Sequence, residues 1–196
     1  MPAKAAQQDD RRIRRTRLAL RDALIALLPK RGWDDLSVQE ICDRADVGRS
    51  TFYMHYQGKE QLLTDGLEGL RIFLSDRADS DRRTRKEAFP FVRGLMEHVY
   101  EQRALFRSLI GRGSGYVVQV RFRKMVAKLV EEEFSNRVAP GWQRDATTSY
   151  VAGALVELLS WWVDARTAQT LEEVEGLFHT LTAPVVAQVM RSTMSR

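Results

Sequence analysis

The chain has 196 residues, 44% of them hydrophobic, which is enough for one folded domain or two small ones. No run of residues approaches the length of about eighteen apolar residues of a transmembrane helix, and the first ten residues lack the apolar core of a signal peptide. We therefore expect a cytoplasmic protein without a membrane segment, and the single cysteine, Cys42, excludes an intramolecular disulfide and a cysteine-cluster metal site.

Positive charge is concentrated near the N-terminus, although the net charge of the whole chain is only +5. Six arginines and no acidic residue occur between Arg11 and Arg21. One interpretation is a solvated helix face next to a flexible tail. The other is contact with DNA phosphates or with the minor groove, which the position of the cluster favours because a helical unit immediately follows it.

A small helical core is predicted after this cluster. Leucines at positions 20, 24, 27 and 28 form one stripe of a helix from Ile13 to Lys30, and Gly32 is suited to end that helix. Ser37 and Glu40 have the S-x-x-E spacing of a capping box, so a second helix begins after Ser37. Leucines at positions 62, 63, 67 and 70 predict a later helix that shares the same core.

Residues 37–56 predict two short helices that meet at a tight turn. The turn is expected at residues 46–48, where Asp and Gly tolerate unusual backbone angles. The second helix is predicted from Arg49 to His55, with Phe52 and Tyr56 directed inward and a polar, aromatic and cationic outer surface. Such side chains can bond base edges and phosphates in a major groove. The same geometry also occurs as an ordinary helical corner in proteins that never touch DNA.

The flanking residues distinguish these two interpretations. The residues that matter are Thr16, Gly32-Trp33, Leu36-Ser37-Val38, Ile41-Cys42, Ala45-Asp46-Val47, Ser50-Thr51-Phe52-Tyr53, His55-Tyr56, Lys59-Glu60 and Leu62-Leu63. In order and spacing they resemble the DNA-binding domain of the tetracycline-repressor (TetR) family of bacterial transcriptional regulators. The resemblance covers roughly a third of the chain. Asp46 departs from the family pattern, which more often has glycine there, and Asp can serve the same turn.

The resemblance implies an all-α protein of about nine helices, with a three-helix N-terminal DNA-binding domain and a larger C-terminal domain for ligand binding and dimerisation. We expect a flexible basic tail at 1–11, the DNA-binding domain at 12–76 and the C-terminal domain at 77–196. Composition also indicates a boundary near residue 76, because a stretch of mixed charge without large apolar residues precedes a basic run at 82–86.

The expected DNA-binding residues form two groups, those that contact base edges and those that contact the DNA backbone. Arg49, Ser50 and Thr51 open the reading helix, where side chains first meet base edges, whereas Tyr53, His55, Tyr56 and Lys59 are placed more for the DNA backbone. The complete predicted set is Arg15, Thr16, Ser37, Val38, Arg49, Ser50, Thr51, Tyr53, His55, Tyr56 and Lys59. A homodimer that carries two such helices would bind a palindromic double-stranded operator, with half-sites about 34 to 36 Å apart or a multiple of that distance.

The last helices are too apolar for a surface that faces only solvent. Residues 150–163 are apolar on more than one side, which implies burial against two partners, and a second chain could supply one of them. In the family, the last two helices form the homodimer interface. We therefore predict the interface residues Ala152, Gly153, Val156, Trp162, Phe178, Leu181, Val185 and Val189.

A ligand pocket is predicted in the C-terminal domain because the resemblance implies one and because the lining would be apolar and aromatic. The candidate residues, which suit a small hydrophobic effector, are Phe91, Leu95, Tyr100, Phe106, Leu109, Tyr116, Met125, Tyr150, Leu155, Leu158 and Trp161. Residues 111–115 are glycine-rich but lack the Gly-Lys-Ser/Thr of a phosphate loop, so a flexible connection is expected there.

An enzyme is not predicted, and neither a cofactor nor a metal is expected. The three histidines lie in separate helices without metal-binding spacing, and no pair of carboxylates lies in an apolar setting suited to acid–base catalysis. Together with the resemblance to the TetR family, the sequence predicts a sequence-specific DNA-binding transcriptional regulator, a repressor that binds a palindromic operator as a homodimer and that a small hydrophobic ligand releases. Two alternatives remain at this stage: a helical protein-interaction module, and a DNA-binding protein without a sensor pocket.

Overall fold

The structure is a computed structural model, and it describes residues 2–81, 88–111, 115–135, 137–164 and 169–194. For residues 2–9, Asp81 and 192–194 it describes the backbone alone. The basic run at 82–86 lies outside the described residues, as do positions 112–114 of the glycine-rich connection.

Within these described ranges the regular elements are all α-helices, and there are nine of them, which confirms the predicted all-α fold class. In chain order they are α1 Pro2–Arg31, α2 Val38–Ala45, α3 Arg49–His55, α4 Lys59–Asp81, α5 Phe91–Glu101, α6 Arg103–Ile110, α7 Tyr116–Ser135, α8 Trp142–Asp164 and α9 Leu171–Met194.

The chain divides into two compact units, Met1–Gly66 and Leu67–Arg196. Helix α4 begins in the first unit and ends in the second, so the boundary predicted near residue 76 falls within α4. Helix α1 begins at Pro2 and so includes most of the segment expected to be a tail.

The first unit is built around the leucine stripe of α1. Leu20, Leu24 and Leu28 are at most 3% exposed, and α1 packs against α2, which in turn packs against α3. Ile41 of α2 and Phe52 of α3 are fully buried in the same unit. The three-residue and four-residue spacings that predicted one apolar face per helix are therefore the spacings that build this core.

Lys59 fixes the chain ahead of α2. Its ammonium donates hydrogen bonds to the carbonyl oxygens of Trp33 at 2.6 Å and Leu36 at 2.7 Å, and it lies 4.8 Å from the centroid of the Trp33 ring. Hydrogen bonds from a charged donor are stronger than neutral ones, and an ammonium is attracted to the face of an indole. The start of α4 is thereby tied to the connection between α1 and α2.

The second unit has an aromatic core, and a few salt bridges and hydrogen bonds join its helices. The Phe89 ring lies 5.6 Å from that of Phe134, edge to face, and both side chains are at most 1% exposed. Arg93 of α5 forms a salt bridge of 2.7 Å with Glu175 of α9. Arg107 of α6 donates to the carbonyl oxygen of Val163 at 2.9 Å, close to the end of α8, where carbonyl groups lack partners within the helix.

Candidate DNA-binding surface

The start of α2 is set by the predicted capping box. The Glu40 amide donates to Ser37 Oγ at 3.2 Å, and the Ser37 amide donates to Glu40 Oε2 at 2.9 Å. Arg31 adds a salt bridge of 2.7 Å to the same carboxylate. The hydrogen bonds from the amide and hydroxyl of Ser37, followed by that from Arg31, hold the pKa of Glu40 below its ordinary value. The capping box is therefore confirmed, and Ser37, predicted to bind DNA, uses its hydroxyl within it.

The turn between α2 and α3 lies where the sequence predicts it, and Asp46 has a left-handed backbone conformation there. Asp46 has φ 52° and ψ 47°, and within the described residues it is the single non-glycine position with positive φ. The following amide, that of Val47, donates to the carbonyl oxygen of Cys42 at 3.0 Å and closes the end of α2. Asp is among the few side chains that tolerate this conformation, which explains how the turn forms without glycine at position 46.

Helix α3 presents a well-defined outward face. Phe52 is fully buried, and Ser50 and Met54 each lie about 160° from it around a helix of 3.6 residues per turn. Both are exposed, Met54 by 81%. The side of α3 opposite the core therefore carries a small hydroxyl and a long thioether.

Arg49 and Tyr53 lie next to this face, one helical turn apart. Both are exposed, and the Arg49 guanidinium lies 5.9 Å from the centroid of the Tyr53 ring. This contact restricts the arginine, so its planar donors are partly ordered before any partner arrives. Thr51 and His55, on the other side of α3, are half-buried.

Tyr56, predicted to contact the DNA backbone, belongs to the scaffold behind α3. It is 2% exposed, and its hydroxyl donates to Asp65 Oδ2 at 2.8 Å. Burial, followed by the hydrogen bond to Asp65, raises the pKa of Tyr56 well above its ordinary value, so the phenol stays protonated. The Arg17 guanidinium covers the ring at 5.6 Å from its centroid.

The arginine cluster of α1 forms a basic groove in the first unit. Arg11, Arg14, Arg17 and Arg21 line a groove of about 480 Å³ together with Asp10, Ile13, Leu18 and Asp65. Arg15 is exposed, whereas Thr16 and Val38 are half-buried. Four guanidinium groups against two carboxylates leave this side of α1 with a net positive charge, which suits a polyanion.

Met54 is the exposed residue that sequence reasoning missed. The predicted surface of α3 consists of polar, aromatic and cationic side chains, and Met54 is not among them. The signal was present in the spacing, because Met54 follows Ser50 by four residues and Phe52 by two. Helical geometry alone places it on the outer side.

The predicted ligand-binding residues are divided between core and surface. Tyr100, Tyr116, Tyr150 and Trp161 are 43% to 80% exposed, and Leu158 is half-buried. The buried ones are Phe91, Leu95, Phe106, Leu109, Met125 and Leu155. None of these eleven residues lines the 570 Å³ groove beside α9, which is formed by Ala88, Arg137, Glu172, Glu175, Gly176, His179, Thr182, Ala183, Val186, Ala187 and Met190.

The predicted interface residues also differ in exposure within the single chain. Leu181 is 63% exposed, and Gly153, Val185 and Val189 are half-buried. The remaining members already lie in the core of their own chain, at 1% to 5% exposure: Ala152, Val156, Trp162 and Phe178.

Two further observations concern metal binding and membrane-spanning helices. In the described part of the chain, no three His, Cys, Asp or Glu side chains are grouped so that they could hold a metal ion. Among the helices described above, none is both long and apolar enough to cross a membrane.

Comparison with known families shows that part of the first unit is similar to a family of bacterial regulatory proteins. Residues 20–65 match the family model for bacterial regulatory proteins of the tetR family. This range includes the leucine stripe of α1, the capping box, the left-handed turn, all of α3 and the start of α4. The match therefore covers the residues whose geometry forms the outward face of α3.

Similar proteins are also transcriptional regulators. Over 58 residues, 29% of the chain, it is 40% identical to the uncharacterized HTH-type transcriptional regulator YxbF of Bacillus subtilis (strain 168), and the match spans 15% of that relative. A TetR transcriptional regulator from Streptococcus agalactiae 2603V aligns with a TM-score of 0.64 and 26% identity over 90% of this chain and 98% of its own. NalD from Pseudomonas aeruginosa, at 18% identity and a TM-score of 0.59, covers 89% of this chain and 96% of its own and shows the shared fold.

Proposed function

We propose that the chain, a transcriptional regulator of the TetR family with an N-terminal DNA-binding domain, is a repressor that binds a palindromic operator as a homodimer. We further propose that it acts in the cytoplasm and that a small hydrophobic ligand releases it from DNA. The observation that carries the proposal is the outward face of α3, where Ser50 and Met54 lie opposite the buried Phe52.

This face has the size and chemistry for a major groove. The groove of B-DNA is about 12 Å wide and admits an α-helix, and its base edges offer donors, acceptors and thymine methyl groups. Arg49, held beside Tyr53, can donate two hydrogen bonds to the O6 and N7 of guanine. Ser50 can bond several base edges, and the arginines of α1 supply the charge that phosphate binding requires.

A homodimer is supported by an apolar surface along α8 and α9. Tyr150 and Trp161 of α8 are 59% and 43% exposed, and Leu177 and Leu181 of α9 are 47% and 63% exposed. A Cβ atom added at Gly153 would lie more than 4 Å from every atom of the described residues outside the local backbone of its own helix and its two chain neighbours. A small residue such as Gly153 allows a second copy to approach closely. Aromatic side chains such as Tyr150 and Trp161 are enriched in interfaces between proteins. Leu181 and Gly153 of the predicted set fit this surface best.

A two-fold dimer defines the operator that it can bind. The same surface is used by both copies in a closed two-fold interface, so the two α3 helices are related by the same symmetry. Their target is then an inverted repeat whose half-sites are about 34 to 36 Å apart, or a multiple of that spacing.

Ligand control is supported by the 570 Å³ groove beside α9. Small-molecule sites occupy about 300 to 1,000 Å³. The groove is lined by apolar residues that include Val186 and Met190 and by charged residues such as Glu172 and Arg137. A ligand releases DNA only if it binds the DNA-free arrangement more tightly, and the operator must weaken ligand binding by the same factor.

Repression is the direction that we propose for the regulation. NalD, which shares the fold, is the secondary repressor of the MexAB-OprM multidrug efflux pump. A dimer that covers two consecutive turns of operator DNA would exclude other proteins from the same sites.

Selection from a pool of random duplexes, followed by sequencing, tests the proposal. The wild-type chain should enrich an inverted repeat, and light scattering at micromolar concentration should give the mass of a dimer. Enrichment of no symmetric motif, or a monomeric mass, would contradict it. A thermal-shift screen of hydrophobic compounds, repeated with the selected operator present, tests the ligand step through the reciprocity described above.

A further inference from the structure

We infer that Met54 reads the methyl group of a thymine in each half-site of the operator. This inference rests on the proposed function, because it concerns the same surface of α3. It assigns a base and an atom to a residue that resembles none of the polar side chains usually considered for base recognition.

Met54 lies on the outward face of α3 and is highly exposed. Its side chain is 81% exposed, more than that of any other large hydrophobic residue in the described chain, and it lies about 160° from the buried Phe52. Exposure alone would need no explanation, since single apolar residues are common at surfaces. Met54, however, shares the outermost line of the reading helix with Ser50, where a helix lying in a groove comes closest to the base edges.

The chemistry of the Met54 side chain suits only some of the base edges in the major groove. A thioether has no donor and is a weak acceptor, so it cannot replace the water that it removes from a polar edge. Guanine presents two acceptors in the major groove, cytosine a donor, and adenine one of each. Thymine presents one acceptor, and it alone presents a methyl group, which is the largest apolar group that a base offers there. Met54 would therefore favour thymine and disfavour the edges whose polar groups it leaves unpaired.

The neighbouring side chains do not compete for that position. Ser50, one turn earlier, is too short to cover the same base pair, and Arg49 is drawn to the side of the helix by the Tyr53 ring. The thioether is unbranched and has three rotatable bonds, so it can follow the methyl group over a range of helix positions.

Replacement of thymine by deoxyuridine tests this inference, because the change removes the methyl group and leaves the hydrogen-bonding edge intact. Each thymine of the selected operator is replaced in turn, in both half-sites, and affinity is measured by fluorescence anisotropy at fixed salt. At one symmetric pair of positions, wild-type binding should weaken about fourfold per half-site and about fifteenfold for both, which follows from the loss of one buried methyl-sized group per half-site.

Three variants complete the experiment. Met54→Ala should bind the thymine operator about as weakly as the wild type binds the deoxyuridine operator, and deoxyuridine should then cause no further loss. Met54→Leu should keep the preference for thymine, because it keeps an apolar side chain of similar reach. Arg49→Ala should keep the full response to deoxyuridine, because that substitution leaves Met54 in place.

The results separate this inference from the proposed function. If the wild type tolerates deoxyuridine at every position, or if Met54→Ala responds to deoxyuridine as the wild type does, the inference is wrong while the proposed function stands. If selection yields no symmetric site, the proposed function fails, and the inference fails with it.

Discussion

The outward face of α3 and the outward faces of α8 and α9 are both exposed in the single chain, yet their chemistry is opposite. On α3 the exposed residues are a cation, a hydroxyl and a phenol around one methionine. On α8 and α9 they include tryptophan, tyrosine and two leucines. A charged, hydrated polymer suits the first surface and an apolar protein surface suits the second, which is why we propose that the first selects DNA and the second pairs subunits.

The two surfaces also differ in how the chain builds them. The orientation of α3 depends on contacts within about twenty residues: the Ser37–Glu40 box, the left-handed Asp46 and the buried Phe52. Helix α8 is buried along most of its length, and which of its sides remains exposed depends on the packing of α5, α6, α7 and α9 around it. Local signals therefore set the first surface, and tertiary packing sets the second.

The largest expected effect comes from a charge placed on the apolar surface. Leu177→Asp would bury a carboxylate between subunits, and an unpaired buried charge costs about 3 to 5 kcal/mol. The variant should be a monomer by light scattering at micromolar concentration and should lose operator binding.

Ile72→Asp is the matched control for this substitution. Ile72 of α4 is 48% exposed and Leu177 is 47% exposed, but Ile72 lies outside the proposed interface. Ile72→Asp should remain a dimer. A Leu177→Asp protein that stays dimeric and binds operator normally would remove the assignment of this surface to a second copy.

The next effect separates the DNA-binding face from the scaffold behind it. Lys59→Ala removes two charge-assisted hydrogen bonds to backbone carbonyl groups, so the free energy of unfolding should fall by about 2 kcal/mol in urea titrations. Lys30→Ala, at an exposed lysine near the end of α1, should change it little.

Binding measurements on the same variant test the original prediction for Lys59. If its ammonium acts only within the scaffold, the dependence of operator affinity on salt concentration should keep its wild-type slope. Unchanged stability together with a slope lower by about one unit would instead place Lys59 against a DNA phosphate.

Much of the first unit could be predicted from the sequence, because its determinants are short-range. The capping box, the turn at Asp46 and the inward Phe52 follow from spacing and side-chain chemistry, and the structure confirms them. Lys59 and Tyr56 could not be assigned in the same way. Lys59 bonds to carbonyl groups 23 and 26 positions away, and Tyr56 bonds to Asp65 across a helix boundary, and neither contact leaves a periodic signal.

The second unit was less predictable because hydrophobic residues serve its core and its surface alike. Trp162 and Trp161 are neighbours, yet one is 3% and the other 43% exposed. A helix that is apolar on several sides gives no period from which the exposed side could be read. For the same reason, the predicted pocket and interface residues remain predictions.

A smaller effect is expected at the turn of the reading motif. Asp46→Gly should raise the free energy of unfolding by about 0.5 to 1 kcal/mol, because glycine adopts φ 52° without strain. The net increase is smaller than the strain relieved, because glycine also raises the entropy of the unfolded chain. Asp46→Val, which is β-branched, should lower it. Urea titration of both variants measures these changes, and a less stable Asp46→Gly protein would show that the Asp46 side chain itself stabilises the turn.

The smallest effect concerns pH and the Ser37–Glu40 box. Because the folded-state pKa of Glu40 lies below its ordinary value of 4.5, its carboxylate stabilises the fold above that value and loses this contribution as pH falls through the folded-state pKa. Glu40→Gln should thus have a lower urea midpoint than the wild type at pH 7, and the difference between the two midpoints should shrink as the pH falls below 4.5. Equal midpoints at pH 7 would rule out a charge-dependent role for this carboxylate.

The central claim is that the exposed side chains of α3, Arg49 among them, read bases, and repeating the duplex selection with Arg49→Ala tests it most directly. The account predicts that the variant selects the wild-type motif except at one symmetric pair of positions, where base preference relaxes, with a loss of about 1 to 3 kcal/mol on the wild-type operator. An unchanged motif, bound uniformly more weakly, would place Arg49 on the DNA backbone and contradict the claim.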